Sequence, residues 1–256
     1  MPRALCVLFC LAIAAAPASS GVLAGWGESP SNGGPTEQHF DCLSNTGSHS
    51  LVISVLARQD LQGVRGFTLD LTVVSGYPGV CDCFCPGSCV VPNLPPYWDL
   101  SSTGCRPGAI SVATGFPADA GTSAVENPFL PGMLLPHPYT IETGYAGVYT
   151  NPVPFTYGRY VVECAVPVGA EFNMAAGHEY YVATITVKNA HSGDCAGCCT
   201  SVLFNPAVSL DLGLGYGVPV NDGSGVDACW QGVEAYRCNV VPARAATWGA
   251  LKSAYR

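Results

Sequence analysis

The chain has 256 residues, 18 of them acidic and 10 basic, for a formal net charge of −8 at neutral pH. So few Lys and Arg leave no electrostatic footprint for nucleic acid or anionic lipid, and 48% hydrophobic residues is too many for a disordered chain. At this length an all-β chain commonly forms one domain.

The elements begin with a leader. Met1-Pro2-Arg3 is a short basic start, Ala4 to Ala16 is an apolar run, and small residues follow at Ala16-Pro17-Ala18 and Ser19-Ser20-Gly21. That pattern predicts a secretory signal peptide over residues 1–20, cut between Ala18 and Gly25. The run falls short of the ~20 apolar residues that span a bilayer, and no second span is predicted. Removing Cys6 and Cys10 with the leader leaves 14 − 2 = 12 cysteines. These are Cys42, Cys81, Cys83, Cys85, Cys89, Cys105, Cys164, Cys195, Cys198, Cys199, Cys229 and Cys238. An even number behind a signal peptide predicts a disulfide framework.

Residues 21–242 are predicted as a single antiparallel β-sandwich with long, disulfide-stapled loops. Leu51 to Leu56 is a first strand. In the next, Phe67, Leu69, Leu71 and Val73 alternate with Thr68, Asp70 and Thr72, the mark of a half-buried strand. Further runs lie at Ile110 to Thr114, Tyr160 to Val166, Tyr180 to Val187, Ser201 to Phe204 and Ala207 to Leu212. Gly76 to Pro96, Gly115 to Pro138 and Gly213 to Gly225 are predicted as irregular connections. Residues 243–256 form a tail in which Trp248, Leu251 and Tyr255 share one helical face behind Thr247 as N-cap. A helix so short must dock on the body or on a partner.

Several groupings bear chemistry. Cys81, Cys83, Cys85 and Cys89 have the density of a zinc or iron–sulfur site, but an oxidising compartment favours a disulfide-knotted loop. On an extended segment, alternating cysteines stand ~6.5–7 Å apart and bridge to other segments, not to each other. Cys195-Ala196-Gly197-Cys198 lacks the βαβ setting of a redox motif. Asn221, Asp222 and Asp227 cluster hard oxygen donors for calcium but fail the EF-hand pattern, so a turn is expected there and no cofactor is assigned. His178-Glu179 lacks the second histidine of a zinc protease, and no nucleophile elbow, P-loop or dinucleotide fingerprint is present. Tyr97 and Trp98, with Tyr139, Tyr145, Tyr149, Phe155 and Tyr157, are candidate sugar-stacking rings if exposed, and core if not.

Leu51-Val52-Ile53-Ser54-Val55 followed by Gly63-Val64-Arg65-Gly66-Phe67-Thr68-Leu69 resembles the opening strand pair of cohesin-like bacterial β-sandwich domains. Other pieces are His39-Phe40-Asp41-Cys42, Leu94-Pro95-Pro96-Tyr97-Trp98, Gly104-Cys105-Arg106-Pro107-Gly108, Gly177-His178-Glu179-Tyr180-Tyr181 and Thr247 to Arg256. Together they resemble uncharacterised cysteine-rich secreted bacterial proteins. The chain departs from them in the Cys81 to Cys89 insert and in the Pro-rich loop before Tyr139. The resemblance implies an Ig-like or cohesin-like fold and export, and it transfers no catalytic residue. The expected function is a secreted, non-catalytic structural or protein-interaction module at the cell surface or in an extracellular assembly. Its partner is an extracellular protein or another copy, with Tyr97, Trp98, Trp248 and Tyr255 as candidate binding residues. A carbohydrate-binding module is the alternative, and an accessory domain of an extracellular hydrolase the second.

Overall fold

A computed structural model describes residues 21–41, 44–57, 59–75, 93–115, 126–130, 132–146, 153–190, 195–198, 200, 202–213, 217–219 and 233–236. The leader, the tail with Trp248 and Tyr255, the calcium-like turn at Asn221, Asp222 and Asp227, and Cys42, Cys81, Cys83, Cys85, Cys89, Cys199, Cys229 and Cys238 lie outside the described residues.

The described residues are all-β, with two 3₁₀ turns (Pro30–Asn32 and Pro96–Trp98) and no α-helix. The strands are β1 Val22–Trp26, β2 Glu37–His39, β3 Ser48–Leu56, β4 Leu61–Val64, β5 Gly66–Ser75, β6 Ile110–Ala113 and β7 Met133–Pro136. They continue with β8 Thr140–Ala146, β9 Val153–Ala165, β10 Phe172–Met174, β11 Glu179–Lys188, β12 Val202–Asp211, β13 Gly217–Pro219 and β14 Val233–Tyr236. One sheet has the order β1-β3-β11-β6, a small one pairs β10 with β4, and a larger one runs β2-β14-β12-β5-β9-β7. In the larger sheet β8 also pairs with β9, and β13 with β12. The strand pairs are antiparallel except β14 with β2.

Alternation decides which side chains meet. Phe67, Leu69, Leu71 and Val73 of β5 are buried as predicted, and they join Tyr160 and Val162 of β9 and Val202, Phe204, Val208 and Leu210 of β12. The same apolar cluster takes in Val22, Ala24 and Trp26 of β1, Leu51, Ile53 and Val55 of β3, and Ile185 and Val187 of β11. One core thus draws on both main sheets, which is where hydrophobic burial contributes most of the stability.

Two prolines test the strand assignments. The runs predicted separately at Ser201 to Phe204 and Ala207 to Leu212 are joined by one strand, Val202–Asp211, that continues across Pro206. On its far side β14 pairs with Val202–Phe204 and β13 with Ser209–Asp211, so neither reaches Pro206. The connection predicted as irregular up to Pro138 contains β7, which pairs with β9 on one flank and ends the sheet order. His137 N–H donates to the Val161 carbonyl, so by alternation Pro136 and Pro138 face outward, where an edge strand tolerates a missing donor.

Between the pairs Pro136↔Val162 and Thr140↔Arg159 the β7–β8 side holds one extra residue. This local bulge lets Tyr139 turn inward. Its ring lies where a Cβ on Gly158 would stand, 1.6 Å from the phenol oxygen, so only glycine fits at that position.

The outward side of the smaller sheet is also covered. Val52, Ser54, Tyr181 and Thr184 are buried there, and a strap, Gly27 to Pro35, follows β1 and folds back over Gly25. A Cβ on Gly25 would stand 2.6 Å from the Glu28 carbonyl. The strap is pinned by Trp26 N–H to the Pro35 carbonyl at 2.9 Å and by Ser31 Oγ donating to the Glu179 carboxylate, which also accepts from Ser54 Oγ.

Burial raises the Glu179 pKa above the ordinary carboxyl range, with the Ser54 hydrogen bond acting the other way. A carboxyl raised on folding contributes stability below its unfolded pKa of about 4.3, and that contribution is lost as pH rises through the folded value. Glu179→Gln is therefore expected to flatten the stability–pH curve above pH ~4 and to raise stability at neutral pH. Urea unfolding across a pH series measures it, and an unchanged curve would remove Glu179 as the source.

Candidate functional site

Tyr97 and Trp98 are 1% and 0% exposed. The Pro-led 3₁₀ turn that carries them is not a surface platform, so these rings take the core alternative and cannot stack on a sugar as they stand. Trp98 meets Phe40 at 5.0 Å, Tyr97 at 5.2 Å and Phe204 at 5.8 Å, all edge to face, the arrangement ring quadrupoles favour. Tyr139 donates to the Trp98 carbonyl at 3.0 Å, and burial pushes its phenol pKa far up.

Arg106 completes this knot, with its guanidinium 4.2 Å from the Tyr97 ring centre and 5.5 Å from that of Trp98. The side chain is 0% exposed. It donates to the carbonyls of Lys188 and Ala190, while Nη1 has no hydrogen-bond partner among the described residues. Burial lowers its pKa, with Tyr97 and Tyr139 acting against that. The cation is held by π faces and carbonyl dipoles instead of a carboxylate.

The cysteines close the same region. Cys105, beside Arg106, is bonded to Cys195, 90 residues away in sequence. Cys198 is disulfide-bonded as well, so the two cysteines of the C-x-x-C belong to separate bridges and are not a redox pair. Gly197, at φ +91°, packs on Pro95 where a Cβ would stand 2.4 Å from the ring. Cys164, counted among the disulfide candidates, is instead a free, buried thiol. Its Sγ lies 2.6 Å from where a Gly132 Cβ would be, and burial pushes its pKa up to about 11. Such a thiol is unreactive.

What faces solvent is the outward side of the larger sheet. Thr140 pairs with Arg159 and Glu142 with Tyr157 across β8 and β9, while Asp70 of β5, opposite Val161, stands diagonal to Arg159 on the same face. Arg159 grips Asp70 through Nη2 to Oδ2 at 2.6 Å and Nε to Oδ1 at 3.0 Å, and reaches Glu142 Oε1 through Nη1 at 3.4 Å. Tyr157 donates to Glu142 Oε2 at 2.7 Å. That hydrogen bond, then Arg159, holds the Glu142 pKa below its ordinary value, and Glu142 in turn raises that of Tyr157. The Asp70 hydrogen bonds raise the Arg159 pKa.

The three charged side chains remain a third or more exposed, so their pairing adds only ~0–1 kcal/mol to stability and mainly fixes orientation. On the neighbouring β7 stand Met133 and Leu135, 66% and 52% exposed, opposite Ala165 and Glu163 of β9. The result is an ordered polar row beside an exposed apolar edge.

Asp70 had a sequence signal as an outward residue of the alternating strand, and Tyr157 as a candidate stacking ring. Glu142 and Arg159 had none, because their meeting depends on strand register. Among the described residues no cluster of three or more His, Cys, Asp or Glu is arranged to hold a metal, and no helix is long and apolar enough to cross a membrane. No family model matches the chain, and no curated protein matches it.

Proposed function

We propose that the chain is an exported, non-catalytic structural or protein-interaction module whose two main sheets form a cohesin-like sandwich. In this reading the outward side of the larger sheet is the contact surface. The carrying observation is the row Asp70–Arg159–Glu142–Tyr157. Its side chains are held in place before any partner arrives, which lowers the entropy of ordering them on binding. Arg, Tyr and Met are also the residue types enriched where proteins meet.

Export is supported by the leader pattern and by the Cys105–Cys195 bridge. The partner is a second copy or another extracellular protein. Sedimentation of the full chain, and capture of envelope proteins from the producing cell, test this together. Arg159→Glu is expected to abolish the self-association or the captured partner at least tenfold, while Val168→Ala, at a site 99% exposed in a separate loop, retains it. Turnover on an ester, peptide or glycoside panel would overturn the non-catalytic reading.

A second reading, glycan binding, is favoured by Phe155 and Tyr157, whose rings lie 6.0 Å apart on the same side of β9. Phe155 lies over Gly144, where a Cβ would stand 2.7 Å from the ring. Retardation in gels containing soluble polysaccharide, lost in Phe155→Ala, would favour it over a protein partner.

A further inference from the structure

The strap over the smaller sheet carries chemistry of its own. Asn32-Gly33 is the only Asn-Gly pair in the 256 residues, and both residues are exposed. Gly33 stands at φ +89° with nothing within 4 Å of where a Cβ would be. The Asn32 carboxamide makes no hydrogen bond within the described structure. A glycine after asparagine offers the least hindered backbone nitrogen for ring closure, and asparagine is among the thermolabile residues.

Two further observations give the site a consequence. Ser31, the preceding residue, supplies the side chain that ties the strap to Glu179. The backbone around the pair is also closely fitted: Asn32 and Gly34 N–H both donate to the Ser29 carbonyl, at 2.9 and 3.0 Å. A Cβ on Gly34 would stand 2.1 Å from the Glu28 carbonyl oxygen. Such a segment has no slack for an inserted backbone atom.

We propose that Asn32 is a covalent modification site at which spontaneous deamidation converts the strap into an anionic form released from Glu179. Solvent base removes the Gly33 amide proton, and that nitrogen attacks Asn32 Cγ. The new C–N bond forms as the Cγ–NH₂ bond breaks and ammonia leaves, giving a succinimide. Water then opens the ring at either carbonyl, to aspartate or to isoaspartate at position 32. No electron is transferred. Aspartate adds a negative charge to the residue next to Ser31, whose hydroxyl binds the Glu179 carboxylate, and like charges on the strap and on Glu179 repel. Isoaspartate adds an atom to a backbone that has no room for it.

The test is incubation of the native protein at mildly alkaline pH, alongside a urea-unfolded sample and an Asn32→Ser variant. Isoelectric focusing is expected to show a shift of one negative charge in the native wild type and none in Asn32→Ser. Peptide mapping by mass spectrometry should find the amide at Asn32 replaced by two acidic isomers. Hydrogen exchange at the Asn32, Gly34 and Trp26 amides should accelerate at least tenfold in the aged protein. If Asn32 stays an amide in the native chain, whether or not the unfolded one converts, the site is overturned. If it converts while those amides keep their exchange rates, release of the strap is overturned.

Discussion

Replacing Cys105 and Cys195 together with serine is expected to remove about 4–5 kcal/mol of folding free energy. The bridge closes a 90-residue span, and loop-closure entropy rises with the length of chain confined. That figure is an upper bound, since Cys198 is bonded too and a second bridge restricts the unfolded chain as well. The double serine variant, unlike a reductant, leaves the Cys198 bridge intact. Urea unfolding compared with wild type is the measurement. A loss below ~1 kcal/mol would mean that the hydrogen bond from Tyr97 N–H to the Ala196 carbonyl and the Arg106 contacts already hold the segments together.

Arg106→Ala is expected to destabilise by about 3–5 kcal/mol, comparable to emptying a large core position. Two effects add. The guanidinium and its stem fill space against Tyr97 and Trp98, and the Lys188 and Ala190 carbonyls lose their donors. Arg106→Met separates them, because it keeps volume over the rings and removes both donors. It should cost clearly less than alanine, since an apolar group of similar size is often tolerated in place of a buried charge. Equal losses in the two variants would assign the whole effect to the carbonyls. Near-ultraviolet circular dichroism should track the disorder of Trp98 in Arg106→Ala.

Both sites border Tyr97 and Trp98, which looked like binding residues in the sequence. Pro95-Pro96-Tyr97-Trp98 combines a turn with two aromatics, which describes an exposed loop tip as well as a plug. The difference lies in what comes to meet it. Ala196, Tyr139 and Phe204 arrive from distant segments, and nothing near Trp98 in the chain announces them.

Cys164 makes the same point. Counting cysteines behind a leader treats every thiol as a bridge partner, but an alternating strand assigns each residue to a face. Cys164 falls on the inward face of β9 with Tyr160 and Val162, and there it packs as a small apolar side chain.

The strands were legible because alternation is a local property: side-chain direction reverses at every residue regardless of the rest of the fold. Hence the sequence alone determined the all-β class and the inward face of Phe67 to Val73. It could not determine the row of Asp70, Glu142, Tyr157 and Arg159. Their alignment rests on strand register and on one extra residue near Tyr139, and a slip of one position would turn Arg159 to the core. Nor could it separate a buried Trp98 from an exposed one, since burial depends on contacts between segments far apart in the chain. Those contacts, and the surface they leave to solvent, were decided by the tertiary structure.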